Sequence, residues 1–472
     1  MSTTKETILE DQYQLKQQKE HILDAPDTYI GGVEEDDVVD WTMNDSCNME
    51  KKSFRLVPGL YKCFDEGVVN CRDHQIRMAG KIESGVEGAI PVTLIDIDVN
   101  KESGMITLLN NGDGIDVAKH PIHGMYIPEM IFGHLMSSTN YNKSEKKIVG
   151  GKNGFGFKLV LIFSKIGRVE TVDHRRGLKY VQEFSDNLSV IGKPKITKCS
   201  SLPYTKVSFV LDFARFGVTG ITDDIFNILK KRSYDIAAVT DKSVRVKFNG
   251  ETLPVRNFEE YMSLFIGPKQ DTKRIYEKSG RWEYGIACSL SGEADHISYV
   301  NGVNTAKGGK HVDYMMNQII RKVCAYILLK KKIKVTTVSV KEQLMLFLNV
   351  AIENPSFDSQ TKNYLNTPST RFGSRCEVSD KFIEYIAKKL GVMDSAINLT
   401  QVKANNVSAR KTDGSQTRSV RGIPKLVDAN FAGTRRSTEC VLILCEGDSA
   451  KAGILSGMAK DDRNTYGVFP LK

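Results

Sequence analysis

The 472-residue sequence predicts an α+β protein of more than one domain, built around mixed sheets. Three observations carry that prediction. The chain is too long for a single hydrophobic core, so two to four domains are expected. Residues 92–99 and 105–109 alternate apolar and polar side chains on either side of a polar turn at 100–104, the pattern of a β-hairpin. Ahead of that hairpin, Leu60, Phe64, Val68 and Cys71 fall at helical spacing between Val57 and Asp73, which marks an amphipathic helix.

The other elements follow in order. Residues 1–25 are polar and read as an arm or short helix, with Tyr13 its only aromatic; Pro26-Asp27-Thr28-Tyr29-Ile30-Gly31-Gly32 turns the chain away from it. The 57–73 helix forms despite Gly67, which costs roughly 1 kcal/mol in a helix interior. Strands at Lys206 to Leu211 and Ser243 to Phe248 flank a helix at Asp223 to Arg232, so residues up to about 250 form one α+β layer. The mixture then repeats, with a strand at His296 to Val300, a helix at Val312 to Leu329, a strand at Gln343 to Ala351 and a helix at Phe382 to Leu390. Residues 401–437 are rich in Asn, Ser, Thr, Lys and Arg and read as a linker whose basic residues can also touch DNA. Cys440 to Cys445 reads as a short buried strand delivering Glu446-Gly447-Asp448-Ser449-Ala450, too close to Lys472 for a complete domain.

Composition narrows the classes. A net charge of +9, 40% hydrophobic and 26% charged residues describe an ordinary soluble protein. No apolar run reaches the ~18 residues of a membrane span, and the polar N-terminus is no signal peptide, so no membrane partner is expected. The nine cysteines include no C-x-x-C pair, which argues against zinc sites and disulfides and for a reducing intracellular compartment.

Three constellations carry chemistry. Gly150-Gly151-Lys152-Asn153-Gly154-Phe155-Gly156-Phe157-Lys158 is a glycine-rich run before an apolar helix-like stretch, suited to wrapping a phosphate with exposed amides. It is not a P-loop, because Phe157 and Lys158 follow Gly156 where Lys and Ser or Thr are needed. Glu66 and Asn70 share one face of the 57–73 helix, where a carboxylate can polarise water and an amide oxygen can hold Mg²⁺. The bland reading of that face is a solvated surface shared with Asp65 and Asp73. Asn110-Asn111-Gly112-Asp113-Gly114 follows the hairpin and makes a tight turn able to present a polar group to a base, though such residues are also plain turn formers.

In their order, these three motifs resemble the GHKL ATPases, a family that includes gyrase, MutL-type repair proteins, 90-kDa heat-shock chaperones and histidine kinases. Further stretches narrow the resemblance to eukaryotic-type DNA topoisomerase II, a type IIA enzyme. Ser137-Ser138-Thr139-Asn140-Tyr141 and Glu145-Lys146-Lys147 before the glycine run are similar to its ATP lid. Tyr299-Val300-Asn301, Lys307-Gly308-Gly309-Lys310-His311-Val312-Asp313-Tyr314 and Glu353 to Lys362 are similar to its transducer domain. Glu446 to Ala450 and Tyr466 to Leu471 resemble the opening of its TOPRIM domain.

The resemblance implies a GHKL (Bergerat) α/β sandwich followed by an α+β transducer and the first part of a TOPRIM domain. The expected boundaries are an arm at 1–30, the ATPase domain at 31–254, the transducer at 255–402, a linker at 403–437 and an incomplete TOPRIM domain at 438–472. It makes Glu66 the general base and Asn70 the ligand of the ATP-bound Mg²⁺. Asn111 would approach the adenine and ribose, and Ser138, Thr139 and Asn140 the ribose and phosphates. Gly151, Lys152, Asn153, Gly154, Phe155, Gly156, Phe157 and Lys158 would wrap the triphosphate. Gln360 and Lys362 would reach the γ-phosphate from the second domain. Glu446 would hold Mg²⁺ in an incomplete TOPRIM site. Lys330, Lys331, Lys332 and Lys334, at the end of the long transducer helix, would touch double-stranded DNA, and the arm with Tyr13 and Tyr29 would exchange within a homodimer.

The expected function is therefore the ATP-hydrolysing gate of a type IIA topoisomerase, with ATPase activity but no DNA cleavage in this stretch. The runner-up is a GHKL chaperone or repair clamp without strand passage, which the Glu446 motif and the Gln360-Thr361-Lys362 loop argue against. Lys152, Phe155, Phe157, Gly67, Val68 and His74 depart from the family's usual residues. The departures point to a divergent lineage, a large DNA virus among the sources that fit. Nuclear placement would follow for a cellular source, and host-cell or virion placement for a viral one.

Overall fold

The computed structural model describes residues 16–135, 148–151, 156–400, 425–459 and 461–471, and the chain divides into two compact units, Met1–Ala396 and Ile397–Lys472. Tyr13, Ser138, Thr139, Asn140, Lys152, Asn153, Gly154 and Phe155 lie outside the described residues.

The first unit opens with a short helix α1 (Gln18–Asp24) and a hairpin of β1 (Asp36–Met43) and β2 (Met49–Leu56). The hairpin escapes the sequence reading because charged residues interrupt both strands. Next comes α2 (Pro58–Glu83), which runs well past Asp73. Pro58 suits its first turn, where an amide hydrogen has no helical partner. Leu60, Phe64, Val68 and Cys71 are buried as the spacing requires, but so are Lys62, Asp65, Glu66, Arg72 and Asp73. The helix is enclosed on more than its apolar stripe, so its polar residues are not a solvated face.

The strands β3 (Leu94–Val99), β4 (Met105–Asn111), β5 (Ser164–Asp173), β6 (Leu178–Ser185), β7 (Val190–Ile191), β8 (Lys195–Lys198), β9 (Tyr204–Leu211), β10 (Arg245–Phe248) and β11 (Glu251–Thr252) form one sheet in the order β11-β10-β3-β4-β9-β5-β6-β7, with β8 on β6. Only β10 and β3 run parallel; every other pairing is antiparallel. Between these strands lie α3 (Ile127–Gly133), α4 (Gly156–Ile162) and α5 (Asp223–Val239), and both α4 and α5 pack on α2.

The same unit continues with α6 (Phe258–Ile266) and the strands β12 (Arg274–Ser279), β13 (Trp282–Cys288), β14 (Asp295–Val300), β15 (Val303–Asn304) and β16 (Leu344–Val350). They form a sheet ordered β12-β13-β16-β14-β15, with β14 and β16 parallel. The helices α7 (Lys310–Lys331) and α9 (Asp380–Lys388) pack together over it, and α8 (Thr337–Lys341) lies between them in sequence. One hydrophobic core runs through both halves: Trp41 packs edge-on against Phe265 at 5.0 Å, and Phe265 against Phe347 at 5.6 Å.

In the second unit, β17 (Val441–Cys445) pairs in parallel with β18 (Tyr466–Pro470), and α10 (Asp448–Gly457) follows β17. The strand exists as the sequence indicates, but it is not buried: Val441, Leu442 and Leu444 are 51%, 52% and 57% exposed. A two-stranded sheet leaves one face open. Val427 exchanges backbone hydrogen bonds with Val468, so part of the stretch read as linker is packed into this unit. Among the described residues no helix is long and apolar enough to cross a membrane.

Candidate functional site

A cavity of about 500 Å³ opens between α2, β4, α3, α4 and the loop that ends at Lys362. Glu66, Asn70 and His74 face it from three successive turns of α2, as the 3.6-residue period dictates. Gly151, Gly156, Phe157 and Lys158 bound it on the glycine-run side, and Gln360 and Lys362 close it from the second half.

Glu66 sits in a dense charge cluster. Lys362 Nζ donates to its Oε1 at 2.8 Å, and Lys62 Nζ lies 2.8 Å from the same oxygen. Lys62 also donates to Asp65 Oδ2 at 2.9 Å, while Arg232 of α5, fully buried, donates to Asp65 Oδ1 at 2.7 Å. Burial works to raise the Glu66 pKa, but Lys362 and Lys62 outweigh it and bring the carboxyl down to about 2. Glu66 is therefore a fixed anion. A carboxylate this strongly held is a weak base until a cation leaves it.

Lys362 comes from far along the chain. It occupies the left-handed region at φ 64° in a turn where its amide bonds Ser359 O, an uncommon place for a side chain and a mark of an imposed conformation. The motif around Gly309 imposes it. Lys307 N donates to Asn363 O, Leu365 N to Gly308 O and Lys310 N to Leu365 O, clasping the segment that follows Lys362. A Cβ on Gly309 would stand 2.4 Å from Leu365 N, and its φ of 136° also favours glycine. The turn at 26–32 meets the same loop: the Cβ position of Gly31 is 3.1 Å from Thr361 Cγ2.

The glycine run is anchored at its start. Asp73 of α2 accepts the amides of Gly150 at 3.0 Å and Gly151 at 2.8 Å, and Asn301 reaches Val149 O and Ile352 O with its side-chain amide. Neither role was evident in the sequence. Lys158 is buried, and desolvation pulls its pKa down to about 8, so an arriving anion would favour its charged form. His74 is neutral at the cavity edge because burial lowers its pKa to about 4.

One expectation is corrected. Asn111 does not face the cavity: its Oδ1 accepts the amides of Thr93 and Leu94, and its Nδ2 donates to Thr93 Oγ1, so it staples β4 to the start of β3. Asn110 and Asp113 line the cavity instead. Along β4 the buried residues are Ile106, Leu108 and Asn110, so the two-residue period puts Asn110 on the inner face and Asn111 off it.

Outside the cavity, Lys330 and Lys331 form the last turn of α7, and Lys332 caps it at φ 59°; these lysines and Lys334 are exposed. Glu446 lies exposed at the C-terminal end of β17, directly ahead of the turn into α10.

The family described as DNA gyrase B matches residues 222–415. A DNA topoisomerase 2 of Acanthamoeba polyphaga mimivirus is 39% identical over 474 residues, covering 98% of this chain and 36% of that protein. The solved ATPase region of Saccharomyces cerevisiae topoisomerase II is 38% identical with a TM-score of 0.75, covering 82% of this chain and 98% of that one. The solved ATPase and transducer domains of DNA topoisomerase II from Balamuthia mandrillaris are 36% identical with a TM-score of 0.78, covering 84% of this chain and 100% of that one. The chain spans about a third of the length of the curated relatives it matches. Identity at this level across the whole of those solved regions places the chain in the type II DNA topoisomerase family, with the GHKL ATPase and transducer fold.

Proposed function

We propose that this chain is the ATP-hydrolysing N-gate of a type IIA DNA topoisomerase, which dimerises on ATP to capture a DNA duplex for passage through a break made by domains beyond residue 472. The observation that carries the proposal is the meeting of Glu66 and Lys362 at 2.8 Å across the cavity, from positions 296 residues apart. A base on one half and a cation on the other make a site whose completeness depends on how the halves sit, which is what coupling hydrolysis to a moving gate requires.

Glu66 would take the proton of the attacking water once Lys362 turns from its carboxylate to the γ-phosphate, where that cation and Gln360 stabilise the charge that develops. Lys158 and the amides from Gly151 to Gly156 would hold the phosphates, and Asn110, Asp113 and neutral His74 would border the base. Among the described residues no group of three or more His, Cys, Asp or Glu could hold a metal alone. The side-chain oxygen of Asn70 would therefore hold Mg²⁺ only together with phosphate oxygens, which is how that ion commonly binds. Bound there, Mg²⁺ would neutralise triphosphate charge.

The exposed lysines at 330, 331, 332 and 334 suit sequence-blind contact with duplex DNA. Residues 31–254 and 255–402 would be the ATPase and transducer domains, and 1–30 an arm exchanged in a homodimer. The segment from about 438 would begin a TOPRIM domain in which Glu446 binds Mg²⁺.

Sedimentation of the chain with and without a non-hydrolysable ATP analogue tests this reading, with ATPase rates taken with and without linear duplex DNA. A shift from monomer to dimer and a DNA-stimulated rate that Lys330→Ala/Lys331→Ala/Lys332→Ala lowers are expected. A monomer at saturating analogue, or a rate indifferent to DNA, would refute the gate.

A further inference from the structure

Gly67 of α2 and Phe157 of α4, far apart in sequence, meet in the structure. Gly67 follows Glu66 in the buried interior of α2. A Cβ built on it would lie 2.3 Å from Leu108 Cδ1, which would have to shift, and 3.4 Å from Phe157 Cε2, in van der Waals contact with the ring. That ring is wedged edge-to-face between Phe132 of α3 at 5.5 Å and Phe209 of β9 at 5.9 Å. Its backbone neighbour Gly156 passes so close to the catalytic helix that a Cβ there would stand 2.5 Å from Glu66 Oε2 and 3.7 Å from Asn70 Nδ2.

One oxygen of Glu66 is thus bound by lysines, and the other faces the backbone at the end of the glycine run. The ring next in sequence fixes how far that backbone can retreat. We infer that Phe157 is a positioning residue for hydrolysis: packed against Gly67 and wedged between Phe132 and Phe209, it holds the first turn of α4 on α2 and Gly156 against Glu66 Oε2. The inference rests on the reading of Glu66 as the base. Its physical content is shared packing at position 67: Leu108 closes one side of that position and the Phe157 ring, in van der Waals contact, bounds another, so a side chain added there presses on both.

The test compares Phe157→Ala, Phe157→Leu, Gly67→Ile and the double variant Gly67→Ile/Phe157→Ala with the unaltered chain. Each is measured for kcat and KM of ATP hydrolysis, affinity for a non-hydrolysable ATP analogue, and unfolding midpoint. Phe157→Ala should lower kcat by about tenfold or more with KM and analogue affinity changed far less, as expected when a catalytic geometry loosens. Phe157→Leu should fall between it and the unaltered chain. Gly67→Ile alone should lose more, and the double variant should regain part of the loss in both kcat and midpoint, Leu108 still crowding position 67.

A double variant no better than the worse single one would overturn the pairing. A Phe157→Ala chain with a lowered midpoint but unaltered kcat would overturn the positioning role. Failure of the underlying reading is distinguishable. A Glu66→Gln chain that still turned over at the original rate would remove the base while leaving the size coupling visible in the unfolding midpoints.

Discussion

The two walls of the cavity are built on opposite principles. On α2, Glu66 is held by Lys62 one turn away, and Lys62 also bonds Asp65, which the buried Arg232 of α5 holds in turn, so this wall is fixed as soon as the helix and α5 pack. On the opposing loop, Lys362 bonds Ser359 O through its amide, but its placement depends on distant residues. Its turn is set in a left-handed conformation and clasped by backbone bonds to residues 307–310. A wall built from short-range pairs stays put. A wall built from a clasped loop moves with the element that clasps it. In the proposed function, the difference would place the static and the moving part of the chemistry in separate halves of the chain.

The sharpest way to break the static wall is Arg232→Met. It removes one partner of buried Asp65 and should destabilise the chain by about 3–5 kcal/mol in denaturant unfolding. A change below about 1 kcal/mol would mean that Lys62 alone suffices. On the mobile wall, Lys362→Met should cost about 10²–10³-fold in turnover if its ammonium meets the developing charge. Nucleotide affinity should fall much less, as equilibrium binding beside a steady-state assay would show. Equal losses in both would reduce Lys362 to a binding residue. The smallest effect is on acid stability. Because the Glu66 carboxyl is held near 2 against an ordinary 4.5, the folded state binds its proton less readily than the unfolded state. Its stabilisation is fully present above 4.5 and is lost as pH falls toward 2. Glu66→Gln should flatten that part of a melting-temperature profile, and a profile of unchanged slope would remove the lysine clamp.

The contrast also explains what the sequence could disclose. The 57–73 helix, the 92–109 hairpin and the glycine run were legible because period and composition are local properties. Glu66 and Asn70 could be read as sharing one helix face for the same reason, being one helical turn apart. Asp73, Asn301 and Arg232 were not, since their partners lie far away in sequence and their own neighbourhoods carry no signal. Gln360 and Lys362 were reached only through resemblance, as nothing nearby places a lysine at a distant carboxylate. Asn111 was misassigned although the signal existed: alternation along β4 already selects Asn110 for the inner face. Gly67 and Phe157 stood as separate oddities until the fold brought them together.

The central claim, a base on one wall served by a cation from the other, is tested most directly by Glu66→Gln. Single-turnover hydrolysis and ATP binding should be measured on the same preparation. The account predicts binding within a few-fold of the unaltered chain and hydrolysis lower by about 10²–10⁴-fold. Hydrolysis at the original rate, with ATP bound, would contradict it.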